Sequence, residues 1–436
     1  MASVPEGLEE SKARTRQVFA YFAPLTILVY LATPGGYLLD IGTTYLLKNQ
    51  LHASATQVAI FRLVTGIPLY FSFVFGLVRD VWSPFGLRDR GHILIFSALA
   101  AAVYFILAFS EVSYASLFAG VLLVMFAFRF VSAGYQALLA LVGQEQLMSG
   151  RLSALWQIFA SMPYVIACFW AGYLSVHLRP GETFLIMGLL TMVLGLFGFL
   201  KPRAVFSHSY DQPAARGSTL GGDIKRLLKH RAAYPAVLAM LLFSFAPGSN
   251  TPLQFYLTNN LHGSDAVYGY YNGIFVASFI PMFFVYGCLC RRVSLNKLLW
   301  WGTIVAIPQM IPLALIHTAN LALIMAVPIG LLGGIASGAY YDLAMRACPP
   351  GLQGTLMMMV DGVYYMANRG SDILGARIYN ASPAHGFLNC VIATTVVYAL
   401  ILPVLLLIPK GLIATADGQA NPAMAAQAVT SRDSRP

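Results

Sequence analysis

The segment "MMMVDGVYYMANRGSDILGARIY", Met357–Tyr379, sets Asp361, Arg369, Asp372 and Arg377 in otherwise apolar surroundings. At 3.6 residues per turn, Asp361 and Asp372 differ by only about 20° around a helix axis, and Tyr365 and Asn368 share their side. Arg369 and Asp372, three apart, can touch on such a helix. A carboxyl beside an arginine can exchange an ion pair for a protonated state, so Asp361 and Asp372 are candidate proton carriers. Arg369, Tyr365 and Asn368 are the matching candidates for holding a substrate. Two readings stay open: a charged lining of a central cavity, or an Arg369–Asp372 pair that ties packed helices together.

Arg129 stands in "FRFVSAGYQALLALVGQEQ" with no acidic residue near it until Glu145. Gln136, seven residues on, is almost in phase with it, and Tyr135 is adjacent. A planar guanidinium takes carboxylate or phosphate oxygens two at a time, which makes Arg129, Gln136 and Tyr135 substrate candidates. Arg129 could instead neutralise a carboxylate on another helix. Asp40, beyond the break at Pro34-Gly35-Gly36, and Arg62 fall near one face and could pair as a gate or a structural tie. Asp80 clusters with Arg79, Arg88 and Arg90 in "GLVRDVWSPFGLRDRGH" (Gly76–His92), a cytoplasmic loop whose basic residues can serve as plain inside-positive anchors. Asp342 and Arg346, four apart, read as a surface pair of the kind worth a few tenths of a kcal/mol. Tyr135, Trp156, Tyr340, Tyr341, Tyr364 and Tyr365 could stack on a flat ring, although packing claims many aromatic residues.

Charges so spaced act only if rigid elements cross an apolar medium around them. The 436-residue chain is 58% hydrophobic and 10% charged, with mean hydropathy +0.70, whereas soluble chains carry about a quarter charged residues. Apolar runs long enough to cross a roughly 30 Å hydrocarbon core recur throughout. They predict an all-α membrane protein of twelve transmembrane helices: 18–46, 57–78, 92–109, 114–142, 152–175, 183–200, 234–257, 266–289, 298–316, 321–345, 355–379 and 386–409. Residues 1–17 are expected to form a cytoplasmic N-tail, 201–233 a cytoplasmic linker between lobes 18–200 and 234–409, and 410–436 a disordered cytoplasmic tail. Lys and Arg gather in alternate connections and in the linker, while the opposite connections offer Lys48 and Arg179; both termini are therefore expected in the cytoplasm. That sorting accounts for the net charge of +10 without nucleic acid. The five scattered cysteines fit no disulfide framework. No metal cluster, nucleotide loop or nucleophile–base pattern stands out, so neither a cofactor nor an enzymatic role is expected.

The halves repeat. "NQLHASA" (Asn49–Ala55) resembles "NNLHGSD" (Asn259–Asp265), an offset of 259 − 49 = 210. "ATPGGY" (Ala32–Tyr37) echoes "FAPGSN" (Phe245–Asn250), and Gly76-x-x-x-Asp80 has its counterpart in Gly287-x-x-x-Arg291. Two six-helix lobes of parallel repeat enclose a site near the midplane.

Gly76, Asp80, Arg88 and Arg90 resemble the loop signature between spans two and three of the major facilitator superfamily, and the resemblance implies that Asp80, Arg88 and Arg90 are gating residues that lock helices of the two halves in one state. The inserted "WSPFGL", with Cys348, Pro349, Gly354, Thr355 and Asn368, is similar to the folate–biopterin transporter family. Gln353 stands where that family usually has an acid, and the fourth span lacks its usual aspartates. The resemblance implies a monomeric secondary transporter in the lipid bilayer, here of a bacterial inner membrane. A proton-coupled small organic anion, pterin- or folate-like or another carboxylate, is the expected substrate. A non-transporting membrane assembly factor or sensor is the alternative.

Overall fold

The structure, a computed structural model, describes residues 6–34, 39, 43, 46–206, 220–382 and 385–419. They form helices that fall on the twelve expected spans, although much of the outer part of the first span, 35–45, lies outside the described residues. Among the described residues, eight helices are long and apolar enough to cross a membrane by length and composition, or nine if the bent second span is counted. The first and seventh are interrupted, and the eleventh carries four charges.

Helix ends follow local chemistry. Ser54 and Ser113 close capping boxes at the starts of spans two and four, and Thr318 caps span ten; each satisfies amides a helix start leaves bare. Proline enters spans one, five, eight and ten, and Pro308 and Pro312 wind the end of span nine as a 3-10 helix. Spans four (Tyr114–Glu145) and eleven (Gln353–Ala381) hold no proline. These two unbroken rods carry Arg129 and Asp361.

The repeated "NxLH" motif has a structural counterpart. Leu46–Gln50 and Tyr256–Asn260 are both single π-helical turns. Each is followed by a left-handed histidine, His52 at φ 45° and His262 at φ 53°. The amide after each histidine bonds back across the turn, Ala53 to Leu47 and Gly263 to Leu257, at 2.8 and 2.9 Å. The same chain reversal thus closes span one and span seven.

Three expectations about the connections change. The first helix begins at Glu6, inside the expected tail, and the linker holds an amphipathic helix, Leu220–Lys229. Residues 410–419, expected to be without structure, form a short helix and a docked strap in which Ile413, Ala416 and Asp417 are buried. Their bonds to both lobes supply the ordering that composition hides. Residues 420–436 lie outside the described part.

Candidate functional site

Arg129 and Asp361 meet across the seam between the lobes. Arg129 Nη1 donates to Asp361 Oδ2 at 2.7 Å, with the two side chains 3% and 17% exposed. Gln136, on the same face of the helix as Arg129, is buried close to that carboxylate. Tyr365, one turn beyond Asp361, lies with its ring 5.9 Å from the guanidinium carbon. The structure thus brings together Arg129, Gln136, Asp361 and Tyr365. A buried pair of this kind survives only where geometry and further bonds offset desolvation, yet Arg129 Nε has no acceptor among the described residues.

Aromatic rings surround the pair. Trp156 of span five sits 4.0 Å from Tyr341 of span ten and 6.2 Å from Tyr30 of span one, centroid to centroid. Tyr364 lies edge-on to Tyr365 at 5.3 Å. The indole Nε1 of Trp156 is buried without an acceptor among the described residues, a second idle donor. Tyr135 is committed to Thr26, hydroxyl to hydroxyl at 2.5 Å. Tyr340 bonds Thr303 at 2.7 Å inside the second lobe.

The other charges of span eleven lie further along it. Arg369 is 60% exposed and only 4.0 Å from Asp372. Asp372 accepts the amide of Thr251 at 2.9 Å, where the seventh span restarts after its break at Pro247–Asn250. Asn368 donates back to the Tyr364 carbonyl. Neither Arg369 nor Asp372 reaches the Arg129–Asp361 pair in this conformation. Arg62 is exposed in span two, and Asp40 lies outside the described residues.

The basic face is shut by bonds between lobes. Asp80 accepts the amides of Gly354 and Thr355 at 3.1 and 2.7 Å and the Thr355 hydroxyl at 2.6 Å. Arg79 joins Asp80 to the buried Asp89. Gln144 donates to the carbonyls of Met345 and Cys348 and receives Gln353. Arg90 stays within its own half, bonded to the carbonyls of Gly198 and Phe199, and the Arg88 amide donates to Ser83.

Asp342 and Arg346 are no surface pair. The Asp342 side chain is fully buried, holds Arg346 at 2.9 Å and receives Tyr286 at 2.9 Å. Arg346 then crosses to Ser149 at 3.2 Å. An i,i+4 spacing shows that two residues can meet, and says nothing of the neighbour that covers them. Removing the acid would strand a buried guanidinium, which costs about 3–5 kcal/mol. Asp342→Ala should therefore lower the melting temperature of detergent-purified protein by several degrees. Arg79 belongs to the expected cluster around Asp80, whereas Asp89, Gln144 and Ser149 are absent from the sequence-derived gate because polar residues at span ends are ordinary.

The sequence matches the model of the Major Facilitator Superfamily over residues 18–371. It is 24% identical over 299 residues to Folate transporter 1 of Plasmodium falciparum (isolate 3D7), covering 65% of this chain and 56% of that relative's length. It is 21% identical to Folate transporter 2 of the same organism, covering 81% and 80%. Among solved structures, FucP, a Major Facilitator Superfamily transporter in the outward conformation, aligns with TM-score 0.66 at 16% identity, over 90% of this chain and 98% of that one. Another structure, of the E. coli fucose:proton symporter FucP, gives 0.68 at 17%, with the same coverage. A family match over this span, on a twelve-helix bundle of two lobes that fits the family's architecture, shows that the chain belongs to the Major Facilitator Superfamily.

Proposed function

We propose that this transporter moves a small organic anion, planar and carboxylate-bearing, coupled to protons by alternating access. The observation that carries the reading is the Arg129–Asp361 pair across the lobe seam, with the guanidinium Nε left without an acceptor among the described residues. Asp361 and a substrate carboxylate compete for one guanidinium. Protonating Asp361 releases Arg129 to the substrate, and the departing substrate returns Arg129 to an ionised Asp361. Trp156, Tyr341 and Tyr365 offer flat faces and Trp156 a donor for a ring-bearing anion. The names of the folate transporters that the chain resembles favour a pterin- or folate-like compound.

The basic face is the cytoplasmic one in this reading, since Lys and Arg crowd the connections there. Both termini lie on that side of a bacterial inner membrane, and the monomer is the working unit. Arg369 and Asp372, nearer the opposite face, line the path by which substrate approaches, with Asp372 as a second candidate proton carrier. Asp80 secures the closed basic face; Arg88 and Arg90 anchor the loop that presents it, and Asp40 with Arg62 forms the gate opposite.

Proteoliposomes test the coupling. Uptake of a radiolabelled folate, pterin or aromatic carboxylate should accumulate several-fold under an imposed pH gradient, acid on the side from which substrate enters. Asp361→Asn should lose that accumulation and keep substrate exchange across the membrane, because the carboxyl that cycles its proton is gone. Accumulation by Asp361→Asn equal to wild type would remove the coupling role.

A further inference from the structure

Asp80 has no acidic counterpart in the second half of the chain: four residues after Gly287, which answers to Gly76, stands Arg291. The repeat maps spans two and eleven onto spans eight and five. At the first contact, Asp80 takes the leading amides of span eleven. At the second, the amide of Gly150 in the first turn of span five faces the end of span eight, where a Cβ on Gly150 would lie 2.9 Å from Asp342 Oδ2 of span ten, itself held by Arg346 and Tyr286, and 3.0 Å from Cys290 Cβ. No carboxylate of span eight stands there to receive it.

The strap brings one. Asp417 Oδ1 accepts the Gly150 amide at 3.0 Å, and Oδ2 accepts Arg151 Nε at 2.6 Å. The Asp417 amide donates to the Cys290 carbonyl at 2.8 Å, so a single residue pins span five of one lobe to span eight of the other. Its neighbours add to the hold. Arg346 donates to the Thr415 carbonyl at 3.0 Å, and Gly418, at φ +88°, donates to Leu147 at 2.7 Å. The Asp417 side chain is 1% exposed.

We infer that residues 410–419 are a latch on the basic face, in which Asp417 gives the second repeat the carboxylate that Asp80 gives the first. Release of the strap frees span five from span eight and lets that face open. The inference rests on the alternating-access reading and goes beyond it, since substrate chemistry plays no part. A latch carried on the tail, rather than on a span, can be lifted without disturbing either six-helix core.

Hydrogen–deuterium exchange of the full chain in detergent tests this. Asp417→Asn removes the charge; Gly418→Val blocks the left-handed turn and keeps the charge, so one variant remains if the other fails to fold. The reporter is the peptide over 352–358, whose Gly354 and Thr355 amides bond Asp80 and do not touch the strap. In either variant these amides should exchange about tenfold faster, the change that about 1.4 kcal/mol gives. Acceleration confined to 147–152 and 290–296, with 352–358 as protected as in wild type, would overturn the latch. Peptides over 266–274, on the opposite face, check the underlying reading separately. If 352–358 speeds up while 266–274 does not slow down, the latch stands and the rocking motion falls.

Discussion

Arg129→Ala should reduce uptake of the anionic substrate at least about a hundredfold, roughly what two hydrogen bonds from a charged donor contribute. It should also destabilise the protein. Asp361 would keep a buried carboxylate with no cation at 2.7 Å, and stripping one partner from a buried pair costs about 3–5 kcal/mol. Lost uptake alone would therefore not separate a binding role from a folding one. The double variant Arg129→Ala with Asp361→Asn separates them. With both charges gone the penalty disappears, since neutral replacement of a buried ion pair is often tolerated, and the melting temperature should return close to wild type. Uptake should not return, because no guanidinium remains. Arg129→Lys keeps the charge but not the two-pronged geometry, and should fall between. Recovery of uptake with stability in the double variant would make Arg129 a packing partner only and end the substrate reading.

The charges of this site were legible because they are rare. In spans of this apolarity an Arg129 or an Asp361 costs enough that a partner or water must be near, and sequence supports that much. It does not say which carboxylate on another span receives Arg129, since that depends on how two lobes dock. Arg369 shows the same limit from the other side: its apolar flanks suggest an inward guanidinium, yet it is largely exposed. The repeat was legible at "NxLH" because both copies make one chain reversal with the same backbone. Asp342 and Asp417 were opaque for different reasons. Asp342 has a nearby arginine that satisfies a local rule, which hides its burial under Tyr286. Asp417 sits among Ala, Gly and Gln, and only contacts with residues 127 and 267 positions earlier give it meaning.

Gly76→Val should hold the transporter with its basic face open and cut uptake at least about a hundredfold. Spans two and eleven touch there backbone to backbone. A Cβ on Gly76 would run into the carbonyl of Gly354 and come within 2.9 Å of Thr355 Cα, and one on Gly354 would lie 2.7 Å from the Asp80 carboxylate. Backbone cannot step aside as a side chain can, so the cost exceeds the 1–3 kcal/mol typical of an extra methylene in a packed core. About 3 kcal/mol would shift an equilibrium between two states more than a hundredfold. The penalty falls on the closed basic face alone, because this contact joins lobes rather than building either core. The variant should therefore fold, melt near wild type and lose protection at Gly354 and Thr355 in hydrogen exchange. Gly269→Ala is the matched control: it lies on span eight facing span five near the opposite face, and its added Cβ meets Cys168 at an ordinary 3.7 Å. It should transport normally. Wild-type uptake by Gly76→Val would mean that spans two and eleven need not touch for this face to close, and that Asp80 secures the closure without the glycine contact beneath it.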